Sequence, residues 1–575
     1  MKEFGSLLTL VALQAAGCTA PSPAATCATS ADCPVGYSCY EVVHFCVQDT
    51  DAARIEGGAR DQHFDGRGDD AAVADVRQSD ARHDDHAAQD AFRIDGRSSD
   101  RVVLDAHQID AVLADVQRID VELTDARPVD HSRADAAVAD AIYDHVIPTN
   151  ATDIYRSVGP GNTTALAVGT PSNTLRFESG LAVFDLEVPP AIGVGDVIAY
   201  DSDSDATIDT LAMIVGRASS TSVSVRPIDG AATTDPGVAT LDWRIYRAYT
   251  SLANALAGRP INSGLTLTSA GFQTYGDDQD LVRYNQRRHI ACYADAVDTS
   301  WANIQYWTTS PSNYLRIYAP YLPGEVGVSQ RHNGTWRTSG AYTIDNTSND
   351  VAIVVRSDNV WIDGLQVSVY RNGGSNGGIS VTGNSTNDPV VTVSECIIRG
   401  NNTGLGSEHF GIEIWDTQAT AVVKVHNNLI YGFTGSAVDE VGIWAQTGQI
   451  EGVNNTLVGC FFGARVAGGA MLAVNNLFSS CTIAVAGTFA DGTDYNATDS
   501  LTLSYNVQGV SPTHDHVGSV FTFLYAANKD FHLGANDQGA RELGREWPGV
   551  VIDIDGNLRP LPTGTAWDIG ADEAL

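Results

Sequence analysis

The chain has 575 residues, enough for several domains, and carries a formal charge of −36 from 34 basic and 70 acidic side chains. That balance excludes a nucleic-acid binder, which needs a basic surface to displace counterions from phosphates. It suits a self-repelling, soluble surface protein, and the 55 glycines suit a fold with many tight turns.

In chain order, Lys2 precedes an apolar run from Leu7 to Ala16, followed by Ala15-Ala16-Gly17-Cys18. The run is too short to cross a bilayer and has the length of a signal-peptide core. Small residues before a cysteine resemble the lipobox of bacterial lipoproteins, which implies a signal peptide over 1–17 and acylation of Cys18. Ala15 stands where that motif usually has Leu, and Glu3 is an unusual acid so near the start. The expected location is outside the cytoplasm, as an outer-membrane or cell-surface lipoprotein held to the membrane only by its N-terminal lipid. Over 18–49, Cys27, Cys33, Cys39 and Cys46 form a dense, even-numbered cluster. In an exported chain this predicts a small module held by two disulfides, of unassigned connectivity. The spacing lacks the short C-x2-4-C pairs of zinc knuckles.

From Asp65 to Asp140 an aspartate stands at every fifth position, and residues 51–146 hold 21 Asp, two Glu and 11 Arg. Five residues advance about 500° on a helix and alternate faces on a strand, so neither form gains an apolar surface. Pentapeptide-repeat solenoids share the period but need Leu or Phe after the acidic position, where this chain has Ala, Val, Gly, Arg or His. Residues 50–147 are therefore expected to be a disordered, charge-extended linker. Calcium is the one cofactor that such spaced carboxylates suit, although a tight site converges about six or more oxygens on one ion.

After Pro148 short alternating apolar runs separated by turn residues predict a β-rich segment over 148–248, including Leu181–Val188, Asp196–Tyr200 and Ser222–Pro227. Tyr249–Gly258 predicts one helix, with Thr250 as cap, Leu252, Ala255 and Leu256 on one face, and Gly258 and Pro260 at its end. Beyond residue 285 an irregular repeat can be aligned on Asp363, Glu395, Asn427, Asn454, Asn475 and Tyr505, in steps of 32, 32, 27, 21 and 30 residues. Each unit is a β-branched strand, a polar turn pair and a second apolar strand. Such a repeat in an all-β chain predicts a solenoid whose coils bury their apolar faces on one another, with the asparagines as turn and ladder residues. In that phase Cys460 and Cys481 share one corner of adjacent coils, bridged or stacked as thiols, while Cys292 and Cys396 are buried singly.

These coils, the short helix and the tail Asp555-Gly-Asn-Leu-Arg-Pro … Asp568-Ile-Gly-Ala-Asp-Glu573 resemble the right-handed parallel β-helix of the pectate-lyase-like superfamily. The resemblance covers roughly residues 250–575 and implies an all-β fold with a β-helix domain over 249–575. It also implies a choice among polysaccharide lyases, glycoside hydrolases, tailspikes and non-catalytic surface proteins, which fold alone does not make.

Strand alternation over Phe410–Asp416 puts Phe410, Ile412 and Ile414 inside and Glu413 and Trp415 outside; Val423 and Val425 point in, Lys424 and His426 out. Trp415 and Trp444, flanked by Glu413, Asp416 and Glu440, are the candidate glycan platform, rings for a sugar face and carboxylates for its hydroxyls. Asp277, Asp278, Asp295 and Asp298 are read as turn residues, as are Gly373, Gly374, Gly377 and Gly378. No nucleotide loop, zinc signature or serine elbow stands in a supporting context, so no cofactor is expected beyond calcium and no catalytic residue is assigned. The expectation is a surface-anchored β-helix lipoprotein that binds glycans or another cell surface; the alternative is a secreted lyase or hydrolase of an acidic polysaccharide.

Overall fold

The structure, a computed structural model, describes residues 37–40, 45–48 and 151–574, apart from 228–238, 268–278, 347–350, 371–374, 384–389, 402–407, 416, 418–419, 436–439, 504 and 561–565. Cys18, Cys27, Cys33, the Asp-repeat segment, Asp277 and Asp278 fall outside the described residues, as do Gly373 and Gly374. In the N-terminal module Tyr37–Tyr40 and Phe45–Gln48 form an antiparallel hairpin in which Cys39 and Cys46 are directly opposed.

The rest is all-β. Three parallel sheets stack coil upon coil, with eight, nine and seven strands among the described residues. One coil shows the plan: Val422–His426 lies in the first sheet, Leu429–Tyr431 in the second and Glu440–Ala445 in the third. The next coil repeats it with Gln449–Val453, Thr456–Val458 and Phe462–Val466. This is a parallel β-helix. β-Branched residues fill its bore because alternate side chains of each strand point inward: Ile317, Ile362, Val393, Val425 and Ile450 are all buried in one continuous core.

The first sheet starts with Thr152–Val158, paired in parallel with Gln286–Cys292. Between these two strands the chain makes a separate seven-stranded antiparallel sheet, built from strands between Ala167 and Tyr246, with its own core around Phe184, Tyr200, Ile214 and Trp243. The helix runs Leu252–Ala257 and is capped by Ser251, whose hydroxyl accepts from the Asn254 amide, rather than by Thr250. Gly258 ends it in the left-handed conformation, as expected of a glycine C-cap. Its buried face, Leu252, Ala255 and Leu256, joins the solenoid core. Asp298 receives the Leu252 amide at 2.7 Å and the Tyr342 hydroxyl at 2.8 Å, and Asp295 pairs with buried Arg247 at 2.8 Å. Both carboxylates thus hold the fold together rather than merely turning the chain.

The turn from the first to the second sheet needs one residue at positive φ. Gly364, Glu395, Asn427, Asn454, Asn475 and Tyr495 supply it. The repeat anchors at Glu395, Asn427, Asn454 and Asn475 are therefore in phase. Asp363 is one residue early, since it pairs with Ser394, and Tyr505 belongs to no such turn. The coils shorten to about twenty residues at this end, so the step after Asn475 leads to Tyr495, and one further strand, His516–Val517, pairs beyond it.

Each Asn-Asn pair divides its work. The second residue points inward: the Asn428 side chain donates to Asn455, Asn455 to Asn476 and Asn476 to Asn496, at 2.9–3.0 Å. This ladder satisfies polar groups that would otherwise be buried unpaired between coils. In two of the three pairs the first residue binds the C-terminal segment, Asn427 donating to the Ile552 carbonyl and Asn475 to that of Arg545, whereas the side chain of Asn454 is buried with no hydrogen-bond partner among the described residues.

A glycine column runs up the third sheet. Gly377 and Gly378 lie inside the strand Ser375–Thr382, not in a turn, and Gly411, Gly442 and Gly463 stack in the same register. A β-carbon on Gly411 or Gly442 would come within 2.6 Å of the next coil's carbonyl oxygen. Only glycine allows that approach.

Candidate functional site

The expected platform lies on the third sheet, and the fold takes it apart. Trp415 is 50% exposed, whereas Trp444 is 5% exposed. Trp444 pairs across coils with Glu413, so the two indoles occupy different columns. Phe410, expected inside, packs with Val441, Trp444, Phe462 and Ala486 in a cluster separate from the bore. The glycine column explains this. It interrupts side-chain alternation between Phe410 and Ile412, sending the aromatic ring onto Trp444 while Ile412 enters the core. Arg465 covers the indole at 5.1 Å from its ring centroid.

The flanking carboxylates are equally committed. Glu413 is buried, accepts from the Ser380 hydroxyl at 3.1 Å and from Gln446, and burial pushes its carboxyl up to about 7. Glu440 is buried against His409 at 2.9 Å. Asp416 lies outside the described residues. What remains is one exposed indole, Trp415.

The first sheet carries a better-formed site. Its outward column places Trp361, Thr392, Lys424 and Glu451 on consecutive coils, with Ser394 and His426 in the neighbouring column. Residues 548–552 of the C-terminal segment line the other side, leaving a groove of about 240 Å³. Trp361 is fixed by its indole N–H to Ser394 at 2.8 Å and by the Arg316 guanidinium 4.7 Å from its ring centroid. Glu451 pairs with His426 at 3.2 Å and accepts the Trp547 indole N–H at 3.0 Å. Burial opposes its ionisation, yet His426, Trp547 and Lys424 together pull its carboxyl down to about 2.

At the base of the groove Glu395 is buried, and burial together with the adjacent Asp363 carboxylate pushes it up to about 8. It therefore holds a proton at neutral pH. Asp363 stays ionised although buried, because Arg331 and Arg316 both pair with it. Glu395 accepts from Asn427 at 3.1 Å through one oxygen, and its other oxygen has no partner among the described residues. Lys424 makes no hydrogen bond or ion pair among the described residues, whereas Arg316, Arg331 and Arg559 nearby are all paired with carboxylates. The groove thus offers an aromatic ring and an ammonium with no hydrogen bond or ion pair among the described residues, over a buried, proton-bearing carboxyl. It can take a planar or ring-shaped group, balance a negative charge and donate a proton.

The tail motif is structural. Arg559 binds Glu573 at 2.8 Å, the Gly570 carbonyl at 2.8 Å and Asn427 at 3.1 Å, and the Ala571 amide donates to Thr456. This clamp fixes the C-terminal segment along the corner between the first and second sheets and so builds the far wall of the groove.

Among the described residues, two clusters have donor sets a metal ion could use. Asp201, Asp203 and Asp209 bring carboxylate oxygens within 4.8 Å of one another, as do His532, Asp555 and Asp572 with one ligand atom each. In the second, His532 bridges Asp530 at 2.6 Å and Asp555 at 2.9 Å; burial opposes its charge, but these carboxylates raise it to about 10. With no ion bound, a proton on His532 balances these carboxylates. In the first, Asp201 already accepts the amides of Asp203, Ser204 and Ala206. The acid-every-second-residue run Asp201-Ser-Asp203-Ser-Asp205 was legible in the sequence and was not singled out there.

Sequence reasoning turned Lys424 and His426 away from the bore correctly, although His426 is buried there against Glu451. It missed Trp361, Glu395 and Glu451 as their neighbours, because those lie 27 to 63 residues away along the chain from Lys424 and meet it only through the coil register. Among the described residues no helix is long and apolar enough to cross a membrane. No family profile, no curated protein and no solved structure matches the chain.

Proposed function

We propose that this chain is an exported surface lipoprotein whose β-helix binds an acidic glycan, or another surface bearing one, in the groove on its first sheet. The observation that carries the reading is Lys424, a cation with no hydrogen bond or ion pair among the described residues, in a groove beside Trp361, in a chain of charge −36 where Arg316, Arg331 and Arg559 are all paired with carboxylates. Such a cation favours a ligand with a carboxylate or sulfate, and the indole suits a sugar face. Anchoring through Cys18, the two disulfides of the N-terminal module and an extended acidic stalk complete the proposal. They follow from the lipobox-like Ala15-Ala16-Gly17-Cys18, the cluster Cys27, Cys33, Cys39 and Cys46, and the five-residue Asp period. Calcium, if used, would bridge a polymer's carboxylates rather than serve as a built-in cofactor.

The test is titration calorimetry with polygalacturonate, alginate and neutral dextran. Binding to the acidic polymers, weakened by salt and reduced at least tenfold in Lys424→Ala, is the expected result. Equal binding by Lys424→Ala, or binding to none of the polymers, overturns the assignment. Radiolabelled palmitate incorporation that disappears in Cys18→Ser tests the anchor.

One observation favours a second reading, cleavage of the polymer. Glu395 keeps a proton at the base of the same groove, and one of its oxygens is buried there without a hydrogen-bond partner among the described residues. Under that reading it is the proton donor to the leaving oxygen. Release of unsaturated ends or reducing ends, lost in Glu395→Gln while binding persists, distinguishes the enzyme from the adhesin.

A further inference from the structure

We propose that Cys460 and Cys481 form an oxidisable pair, a site at which a small-molecule or protein disulfide installs a cross-coil staple. The strands Thr456–Val458 and Leu477–Ser479 pair in parallel, Thr456 opposite Leu477 and Val458 opposite Ser479. The register continues past their ends. The Gly459 amide donates to the Ser479 carbonyl at 2.9 Å, Thr482 to Cys460 at 3.0 Å and Ile483 to Phe461 at 2.8 Å. Cys460 and Cys481, two residues beyond the last pair, are therefore lateral neighbours on adjacent coils. Lateral neighbours in a sheet lie about 4.8 Å apart, inside the Cα separation of about 4.4–6.8 Å that a disulfide spans.

The side chains converge as well. Both are thiols in the structure, Cys460 buried in the bore and Cys481 partly exposed against the same core. The Cys460 thiol donates to the Val458 carbonyl at 3.8 Å, and the Cys481 thiol reaches across to the Leu457 carbonyl on Cys460's own coil at 3.7 Å; the adjacent Cys481 thiol, before burial, pushes the Cys460 thiol above its ordinary range. All four thiols donate to backbone carbonyls, but among the described residues no other thiol acts on buried Cys292 or Cys396. The pair is thus set apart from the other two cysteines by geometry.

The chemistry balances as ordinary exchange. The Cys481 sulfur, the more accessible, loses its proton and attacks a donor disulfide, forming a mixed disulfide and releasing one thiol. The Cys460 sulfur then loses its proton, attacks the Cys481 sulfur and releases the second thiol. Two protein thiols are oxidised to one disulfide and one donor disulfide is reduced to two thiols. The resulting bond ties two coils at the corner leading into the third sheet.

The experiment uses the full chain, equilibrated in oxidised or reduced glutathione, alkylated and digested with trypsin. Arg465 separates the two cysteines, so peptide 425–465 should appear joined to peptide 466–529 only after oxidation. Cys292 and Cys396 should be found unpaired after denaturation in both samples. The oxidised protein should melt about 3–6 °C higher, a gain lost in Cys481→Ser, since closing a loop of this size restricts the unfolded chain. Free alkylation of Cys460 and Cys481 after oxidation overturns the proposal. So does pairing of either with any other cysteine. A joined peptide without a change in melting also overturns the staple, leaving an inert bond.

Discussion

The first and third sheets both turn a tryptophan, a glutamate and a basic residue outward, and they finish with opposite surfaces. On the third, Phe410, Val441 and Phe462 close over Trp444, and Glu413 is locked by Ser380 and Gln446. On the first, Trp361 and Lys424 face a wall made by residues 548–552, which stands away from the sheet and leaves a groove. The difference teaches that outward position on a solenoid does not mean exposure. A glycine column lets neighbouring side chains fold over one face, while a clamped tail shields the other without filling it.

The comparison breaks most visibly at the indoles. Trp444→Ala should cost about 3–5 kcal/mol in urea unfolding, the loss expected for a buried aromatic, whereas Trp415→Ala should stay within about 0.5 kcal/mol. Equal effects at the two positions would contradict the packing described for the third sheet.

A smaller effect is expected at the glycine column. Gly411→Ala should destabilise by about 1–3 kcal/mol, because the added carbon meets the Gly442 carbonyl on the next coil. The same change at Gly549, which has open space around its β-carbon position but a φ of 82°, should cost less, about 1 kcal/mol. A reversed order would show that the column is not closely packed.

The two grooveside glutamates sharpen the comparison through pH. Glu395 is raised from 4.5 to about 8, so the folded state keeps a proton that the unfolded chain has lost. Stability from this residue is full below about pH 4.5 and declines as pH rises to about 8. Glu451 is lowered to about 2, so its contribution is present above pH 4.5 and lost as pH falls toward 2. Relative to the native chain, Glu395→Gln should therefore gain stability between pH 5 and pH 8, and Glu451→Gln should lose less between pH 4.5 and pH 2. A pH-independent difference for Glu395→Gln, measured by urea midpoints, would mean that its carboxyl titrates normally. Glu413→Gln on the third sheet should behave like Glu395→Gln, with its decline ending near pH 7.

The smallest expected change in stability belongs to the residue on which the proposed function rests. Lys424→Ala should move the unfolding free energy by no more than about 0.5 kcal/mol, since its ammonium has no direct partner among the described residues. A loss of several kcal/mol would place Lys424 in the structural network and remove it from the proposed site.

Much of this architecture was legible residue by residue. Alternating β-branched runs fixed the inward faces of Val423, Val425, Ile412 and Ile414, because a strand's period of two is local. The Asn-Asn pairs marked the turn, because asparagine tolerates positive φ there and its inward partner ladders along the axis. The phase correct at Asn454 and Asn475 put Cys460 beside Cys481. It failed at Asp363, where Gly364 takes the strained position, and at Tyr505, where coil length had changed.

The sequence by itself thus determined the all-β class, the coil repeat, the capping helix and the faces of individual strands, all consequences of short-range backbone preference and side-chain period. Only the tertiary structure decided which outward residues meet. Trp361, Glu395, Lys424 and Glu451 converge through coil register, and Arg559 brings the distant tail onto Asn427 to wall them in. The burial of Trp444 belongs to the same class of facts. Register between coils and the path of a returning segment depend on contacts across tens of residues, and local propensity does not encode them.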